Sequence, residues 1–335
     1  MTASARGKVA VAGAGAFGTA LALVAHRAGA EVILWNIDAD IAAKIAASRE
    51  NSFFLPGPKL PAEIDVTGET ARIGEAGYVL LAAPAQATRS LLTTIGPHVA
   101  ADAVLVACAK GIERESGALQ SEIVAAAAPG HAVAALSGPG YAGEIARGLP
   151  TAVTVAAAKM ALAEEVAARL SSASFRGYAS DDPVGAELGG ALKNVIAIAA
   201  GIVEGKRLGE SARAALVTRG LAEMRRLGAK MGARAETFMG LSGLGDLMLT
   251  AMSRQSRNTS FGIALAEGAS VAELTAPDKP LAEGAFTAEI AAALAKRHGV
   301  EMPITAAVAA VLAGRLTVEE AIAALVSRPL KHETA

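Results

Sequence analysis

The chain begins with a short apolar run, Lys8-Val9-Ala10-Val11-Ala12, and turns at once into Gly13-Ala14-Gly15-Ala16-Phe17-Gly18. No other stretch narrows the choice of fold as much. An apolar strand, three glycines at this spacing and then an alanine- and leucine-rich helical pattern over 19–28 form one unit, and Glu31-Val32-Ile33-Leu34-Trp35 supplies a second strand. Gly13 suits the tight turn, Gly15 lets the backbone approach a bulky anion, and Gly18 lets the helix pack on the strand. The helix then presents free N–H groups and a partial positive charge, the setting for a dinucleotide pyrophosphate. Gly13, Gly15, Ala16 and Gly18 are accordingly candidate cofactor contacts.

More apolar runs follow at 78–82, 103–108, 132–136 and 152–155, most of them continuous, as strands covered on both faces are. Helical patterns lie between several of them, as right-handed crossovers require. After Asp182-Pro183 the texture changes to helices only, at 184–204, 211–231, 235–238 onward, 258–267, 286–298, 303–312 and 318–325. The fold class that follows is α/β: an N-terminal Rossmann-like dinucleotide-binding domain over 1–183, then an all-helical substrate domain over 184–335.

Composition excludes several functions. The formal net charge of −1 gives no basic surface for nucleic acid or for an anionic membrane. The longest stretch free of Asp, Glu, Lys and Arg, 123–143, is interrupted by Pro129, Gly130 and Gly138-Pro139-Gly140, so membrane insertion is not expected from it. The one cysteine, Cys108, precludes an internal disulfide and suits a reducing cytoplasm; at a strand end it reads as a small buried apolar residue. The five histidines have no metal-ligand spacing.

The chemistry points to Lys193-Asn194, set within the apolar helical stretch 184–203. A lysine and an amide there lose most of their water, a cost that hydrogen bonds must offset. An amine so placed titrates nearer neutrality, as a general acid requires. Asp246, in Gly243-Leu244-Gly245-Asp246-Leu247, stands in an apolar neighbourhood and needs a cation, for which Lys193 is the candidate. Lys110 closes a strand, at the end that faces the ligand crevice of a parallel sheet. Ser137-Gly138-Pro139-Gly140 also follows a strand and can hold an anion on bare backbone N–H groups. Ser256-Arg257-Asn258 precedes a helix, so a guanidinium and helix N–H groups make a phosphate clamp. Asp38 lies at the distance where an acid meets the cofactor ribose, and no arginine stands in 36–38. The reading therefore favours NAD and leaves NADP open.

Taken together, these blocks resemble the bacterial NAD(P)-dependent sn-glycerol-3-phosphate dehydrogenases over almost the whole chain. The match includes Asn51 with Phe54-Leu55-Pro56, Ala109-Lys110-Gly111, residues 189–199, Arg219-Gly220-Leu221-Ala222-Glu223-Met224, Glu283-Gly284 and 300–305. The resemblance implies that Lys193 exchanges the proton, aided by Asp246 and Asn194. It implies that Lys110, Gly138, Gly140, Lys193, Asp246, Ser256, Arg257 and Asn258 surround a small phosphorylated substrate, glycerol phosphate. It implies that Phe17, Lys110, Ala142, Arg257, Leu281 and Glu283 touch NAD or NADP. Glycerol 3-phosphate supply for phospholipid synthesis is the role implied, and a homodimer is compatible with it. Three departures bear on cofactor preference and substrate binding: Gly140 where a hydroxyl or larger residue is common, Ala85-Gln86 for a Ser-His pair, and no basic residue near Ile37. Two other readings of the residues stay open: a reductase of this architecture acting on a hydroxy acid, and a redox sensor that holds NAD without chemistry.

Overall fold

A computed structural model describes residues 7–276, 278–329 and 332. Among these residues eight strands form one sheet: β1 (Lys8–Ala12), β2 (Glu31–Trp35), β3 (Ile64–Thr67), β4 (Tyr78–Leu81), β5 (Val104–Ala107), β6 (Ala132–Ser137), β7 (Thr151–Ala157) and β8 (Phe175–Ser180). Their spatial order is β3-β2-β1-β4-β5-β6-β7-β8, whose first six follow the doubly wound dinucleotide order. Neighbours are parallel throughout except β6 and β7, which pair antiparallel with Ser137 opposite Thr154. Six of these strands are legible as apolar runs. The two that are not, β3 (Ile-Asp-Val-Thr) and β8 (Phe-Arg-Gly-Tyr-Ala-Ser), are the sheet edges, where one flank lacks a neighbour and polar residues are tolerated.

Strand alternation divides the apolar residues between two cores. Val9, Val11, Val32, Leu34 and Leu80 pack on one face with Leu21 and Val24 of α1 (Ala16–Arg27). Ala10, Ala12, Ile33, Trp35, Val79 and Leu81 pack on the other. There they meet Leu91, Leu92 and Ile95 of α3 (Thr88–Ile95), which follows α2 (Ala39–Ser48), and Ile123 of α4 (Gln120–Ala127). Two further helices follow: α5 (Ala142–Ala146) connects the antiparallel β6 and β7, and α6 (Met160–Leu170) forms the crossover from β7 to β8.

The helical part comprises α7 (Pro183–Gly205), α8 (Glu210–Lys230), α9 (Ala235–Met239), α10 (Asp246–Ala251), α11 (Arg257–Ala266), α12 (Val271–Leu274), α13 (Glu283–Arg297), α14 (Pro303–Leu312) and α15 (Val318–Val326). The chain divides into two compact units, Met1–Gly190 with Glu236–Asp246, and Ala191–Ala235 with Leu247–Ala335. The segment Glu236–Asp246 therefore returns to the sheet-bearing unit, and α7 passes from one unit into the other along its length. In the second unit α7 and α11 pack almost backbone to backbone: a Cβ on Gly262 would lie 2.0 Å from the Ile198 carbonyl oxygen. Glu223 of α8 ties α14 in place, accepting from the Ile304 N–H at 2.6 Å and the Thr305 N–H at 3.0 Å. By length and composition α7 meets the requirement for crossing a membrane, and its most apolar stretch is wholly buried inside the protein, as a core helix is.

Candidate active site

The β1–α1 turn has the shape that its glycines predict. Gly13 adopts φ +119°, and a Cβ there would sit 2.8 Å from the Ala82 carbonyl oxygen. A Cβ at Gly18 would fall 1.8 Å from the Gly13 oxygen, so α1 leaves β1 as closely as backbone allows. Gly15 is different: a Cβ there would find no atom within 4 Å, so this face of the loop is open to a ligand. No side chain caps α1 and no acid stands in its first turn, which leaves its N–H groups and dipole to an anion. Asn51 braces the turn from beneath, donating to the Ala14 carbonyl at 2.7 Å and to Thr19 Oγ1 at 2.8 Å. These residues fit a dinucleotide pyrophosphate.

Lys110 is the hub of the first unit. Its Nζ donates to the Gly138 carbonyl at 2.5 Å and to Asp246 Oδ2 at 2.7 Å, and lies 5.9 Å from the centre of the Phe17 ring. Asp246 is 1% exposed, so its carboxyl group meets Lys110 out of water. Four candidates drawn from sequence positions as far apart as 17 and 246 thus meet at one ammonium. The sequence assigns Asp246 a cation and points to Lys193; Lys110 is a partner that linear reading does not name. Gln86 holds the loop beyond Lys110 with both ends of its amide, donating to the Ile112 carbonyl at 2.8 Å and accepting from the Arg114 N–H at 2.9 Å. That is what the Ala85-Gln86 departure does here. At Gly140 a Cβ would come 2.8 Å from Ile145 Cδ1, so a larger side chain has to move the end of Ile145.

Lys193 is 7% exposed and Asn194 4%, on α7 where that helix belongs to the second unit. Lys193 Nζ donates to Thr250 Oγ1 at 2.7 Å. The Thr250 carbonyl in turn accepts from Thr259 Oγ1 at 2.7 Å, and Thr259 N–H donates to Ser256 Oγ at 3.2 Å, the N-cap of α11. The lysine and the start of α11 are therefore parts of one hydrogen-bonded network. Thr250 escapes sequence reading; the available signal is its place one helical turn after Asp246 on α10. Arg257 opens α11 with an exposed side chain, and Asn258 behind it is buried.

The remaining candidates are placed as follows. Asp38 caps α2, accepting from the Ile41 N–H at 3.0 Å, just beyond the C-terminal end of β2. Ala142 opens α5 and packs with Ala16 and Phe17 against the sheet core. Leu281 precedes α13, and Glu283 is its first residue. Cys108 is buried, and burial pushes its thiol up to about 12, so it stays a protonated packing residue.

One carboxyl in the first unit has a pH dependence of its own. Glu187 of α7 accepts from the Ser121 N–H at 2.8 Å and from the Ser121 hydroxyl, capping α4 from outside. Burial raises its pKa from 4.5 to about 7, outweighing those bonds. A raised carboxyl stabilises the fold fully below pH 4.5, and the contribution is lost as the pH rises through about 7. Glu187→Gln keeps the shape without the charge. Between pH 5 and pH 8 the wild type is expected to lose on the order of 2 kcal/mol relative to this variant. Urea denaturation of both proteins at the two pH values measures it; parallel behaviour would contradict the assignment.

The same blocks recur in known proteins. A family model described as the NAD-dependent glycerol-3-phosphate dehydrogenase N-terminus matches residues 8–163, and the corresponding C-terminus model matches 182–323. The chain belongs to this family. It is 51% identical to a glycerol-3-phosphate dehydrogenase [NAD(P)+] of Parvibaculum lavamentivorans, over 98% of each chain. With the enzyme of that name from a Chelativorans species it shares 53% identity, over 97% of this chain and 98% of that one. Among solved structures, the glycerol-3-phosphate dehydrogenase of Coxiella burnetii superposes with a TM-score of 0.91 at 37% identity, covering 96% of this chain and 99% of the other. Family membership makes the chain an NAD(P)-dependent oxidoreductase and removes the reading as a sensor without chemistry.

Proposed function

We propose that the protein interconverts dihydroxyacetone phosphate and sn-glycerol 3-phosphate in the cytoplasm, providing the glycerol backbone for phospholipid synthesis. The observation that carries the mechanism is Lys193: an amine taken out of water, aimed by Thr250 at 2.7 Å, on the same helix as the amide of Asn194. When bound, NAD or NADP supplies and takes back the hydride at the substrate's carbonyl carbon. Lys193, as ammonium, polarises the carbonyl oxygen and gives it a proton, and solvent restores that proton after turnover. Asn194 orients Lys193 and the reacting oxygen, and Asp246 holds Lys110. Lys110 and the backbone at Gly138 and Gly140 contact the substrate on the sheet side.

The phosphate belongs to the start of α11 in this reading. Ser256 caps that helix, Arg257 brings a guanidinium, and the first-turn N–H groups bring the dipole. Fixing a dianion far from the reacting carbon converts binding energy into alignment of the ketone. Arg257→Ala is expected to raise KM for dihydroxyacetone phosphate by roughly 10–100-fold, the cost of one charged hydrogen-bonding group, with a smaller change in kcat. Initial rates across substrate concentration test it, and an unaltered KM would remove Arg257 from the clamp.

The activity itself is read at the nicotinamide absorbance band, with dihydroxyacetone phosphate and each reduced cofactor in turn. Oxidation of either cofactor supports the reading and ranks NAD against NADP. Turnover of 3-hydroxy acids in preference to glycerol 3-phosphate would replace it.

A further inference from the structure

Asn258 is buried in the first turn of α11, and its side chain is engaged within the protein. Its Nδ2 donates to Asn194 Oδ1 at 2.9 Å, and its Oδ1 accepts from the Gly284 N–H at 2.9 Å. Asn194 follows Lys193 on α7; Gly284 follows Glu283 at the start of α13. The packing is as close as the bonds imply. A Cβ on Gly284 would stand 2.5 Å from the Asn194 carbonyl oxygen and 2.8 Å from Asn258 Oδ1. Three helices are thus pinned at a single amide, whose donor and acceptor are both required. A carboxylate can serve Gly284 but not Asn194 Oδ1, and an ammonium the reverse.

We infer that Asn258 is a positioning residue for Lys193: its side-chain amide fixes Asn194 against the first turn of α13, while its backbone N–H is the part left to the substrate phosphate. This refines the direct substrate contact implied by the family resemblance, and it rests on the proton-donor role proposed for Lys193. The amide is over-determined by two partners 64 and 26 residues away in sequence, so rotating it toward a ligand breaks two buried bonds. What it controls is geometry. A lysine displaced by a fraction of its reach still binds substrate but transfers its proton poorly.

The test uses Asn258→Ala, which loses both bonds, and Asn258→Asp, which keeps an acceptor for Gly284 and loses the donor to Asn194. Three quantities are measured on the full chain: kcat with dihydroxyacetone phosphate, inhibition by inorganic phosphate as a probe of the α11 clamp, and amide hydrogen exchange at Gly284. In both variants kcat is expected to fall by about 10–100-fold, with phosphate inhibition unchanged. Exchange at Gly284 speeds up in Asn258→Ala and stays protected in Asn258→Asp. Weakened phosphate inhibition with kcat retained would make the amide a direct phosphate ligand and overturn the inference. So would two variants that fail to fold, since the amide would then be a structural pin only. If the wild type itself fails to turn over dihydroxyacetone phosphate, the proposed function falls, while phosphate binding and Gly284 exchange still report on the pin.

Discussion

Replacing Lys193 by alanine is expected to lower kcat by roughly 10²–10⁴, the usual range for loss of a general acid. The dissociation constant of the cofactor should change little, because the candidate dinucleotide contacts at Gly13, Gly15 and Gly18 belong to a different segment. The loss should appear in kcat and kcat/KM together, since the proton is needed in the transition state and not for binding. Lys193→Met is a useful companion, as it fills nearly the same volume without the charge and so separates proton transfer from cavity formation. Steady-state rates with dihydroxyacetone phosphate, together with cofactor titration by fluorescence, decide the matter. Near-normal turnover in either variant would end the assignment. The side chain is 7% exposed and bonded to a threonine that is itself 4% exposed, so the amine sits in a fixed, largely dry setting. A lysine held there without function would be a net cost to stability.

The sequence discloses those parts of the molecule whose signal is local. The β1–α1 turn is readable because glycines at 13, 15 and 18 answer to contacts made within a few residues: the Gly18 methyl position is blocked by Gly13 itself. Pro303–Leu312 is readable to the residue because a proline starts it and the apolar pattern is unbroken. Lys193 stands out because charge inside an apolar helix is rare. What stays hidden is long-range. Asp246 announces a need for a cation and the sequence offers Lys193, but it does not show that Lys110, 136 residues away, is a partner as well. Asn258 looks like one polar residue among several at a helix start; that it joins Asn194 to Gly284 is a matter of three helices meeting. β8 is hidden for another reason: an edge strand with Arg176 and Tyr178 exposed has no continuous apolar run to detect. The antiparallel turn into β7 is likewise absent from composition, because covered strands look alike whichever way they run.

Two alanine substitutions in the glycine loop are expected to fail in opposite ways. In Gly18→Ala the new methyl would lie 1.8 Å from the Gly13 carbonyl oxygen and 3.1 Å from Ala82 Cβ. The obstacle is backbone, so α1 has to move away from β1, and α1 carries Leu21 and Val24 in the sheet core. The expected destabilisation is about 3 kcal/mol, at the upper end of overpacking costs, with dinucleotide binding lost along with the turn. Gly15 has φ −70° and ψ −178°, which any residue adopts, and no atom lies within 4 Å of its methyl position. Gly15→Ala should therefore leave the thermal midpoint of the ligand-free protein unchanged. Its methyl instead occupies the path by which a pyrophosphate reaches the α1 N–H groups, so cofactor affinity should fall by roughly 10–100-fold, the loss expected when charged hydrogen bonds to phosphate cannot form. Thermal unfolding with and without added cofactor reads both effects in one experiment: wild type gains stability from ligand by mass action, Gly15→Ala starts equal and gains less, and Gly18→Ala starts lower. If Gly15→Ala binds as tightly as wild type, the pyrophosphate does not sit over this turn. If Gly18→Ala is as stable as wild type, the helix–strand contact tolerates more than the geometry allows.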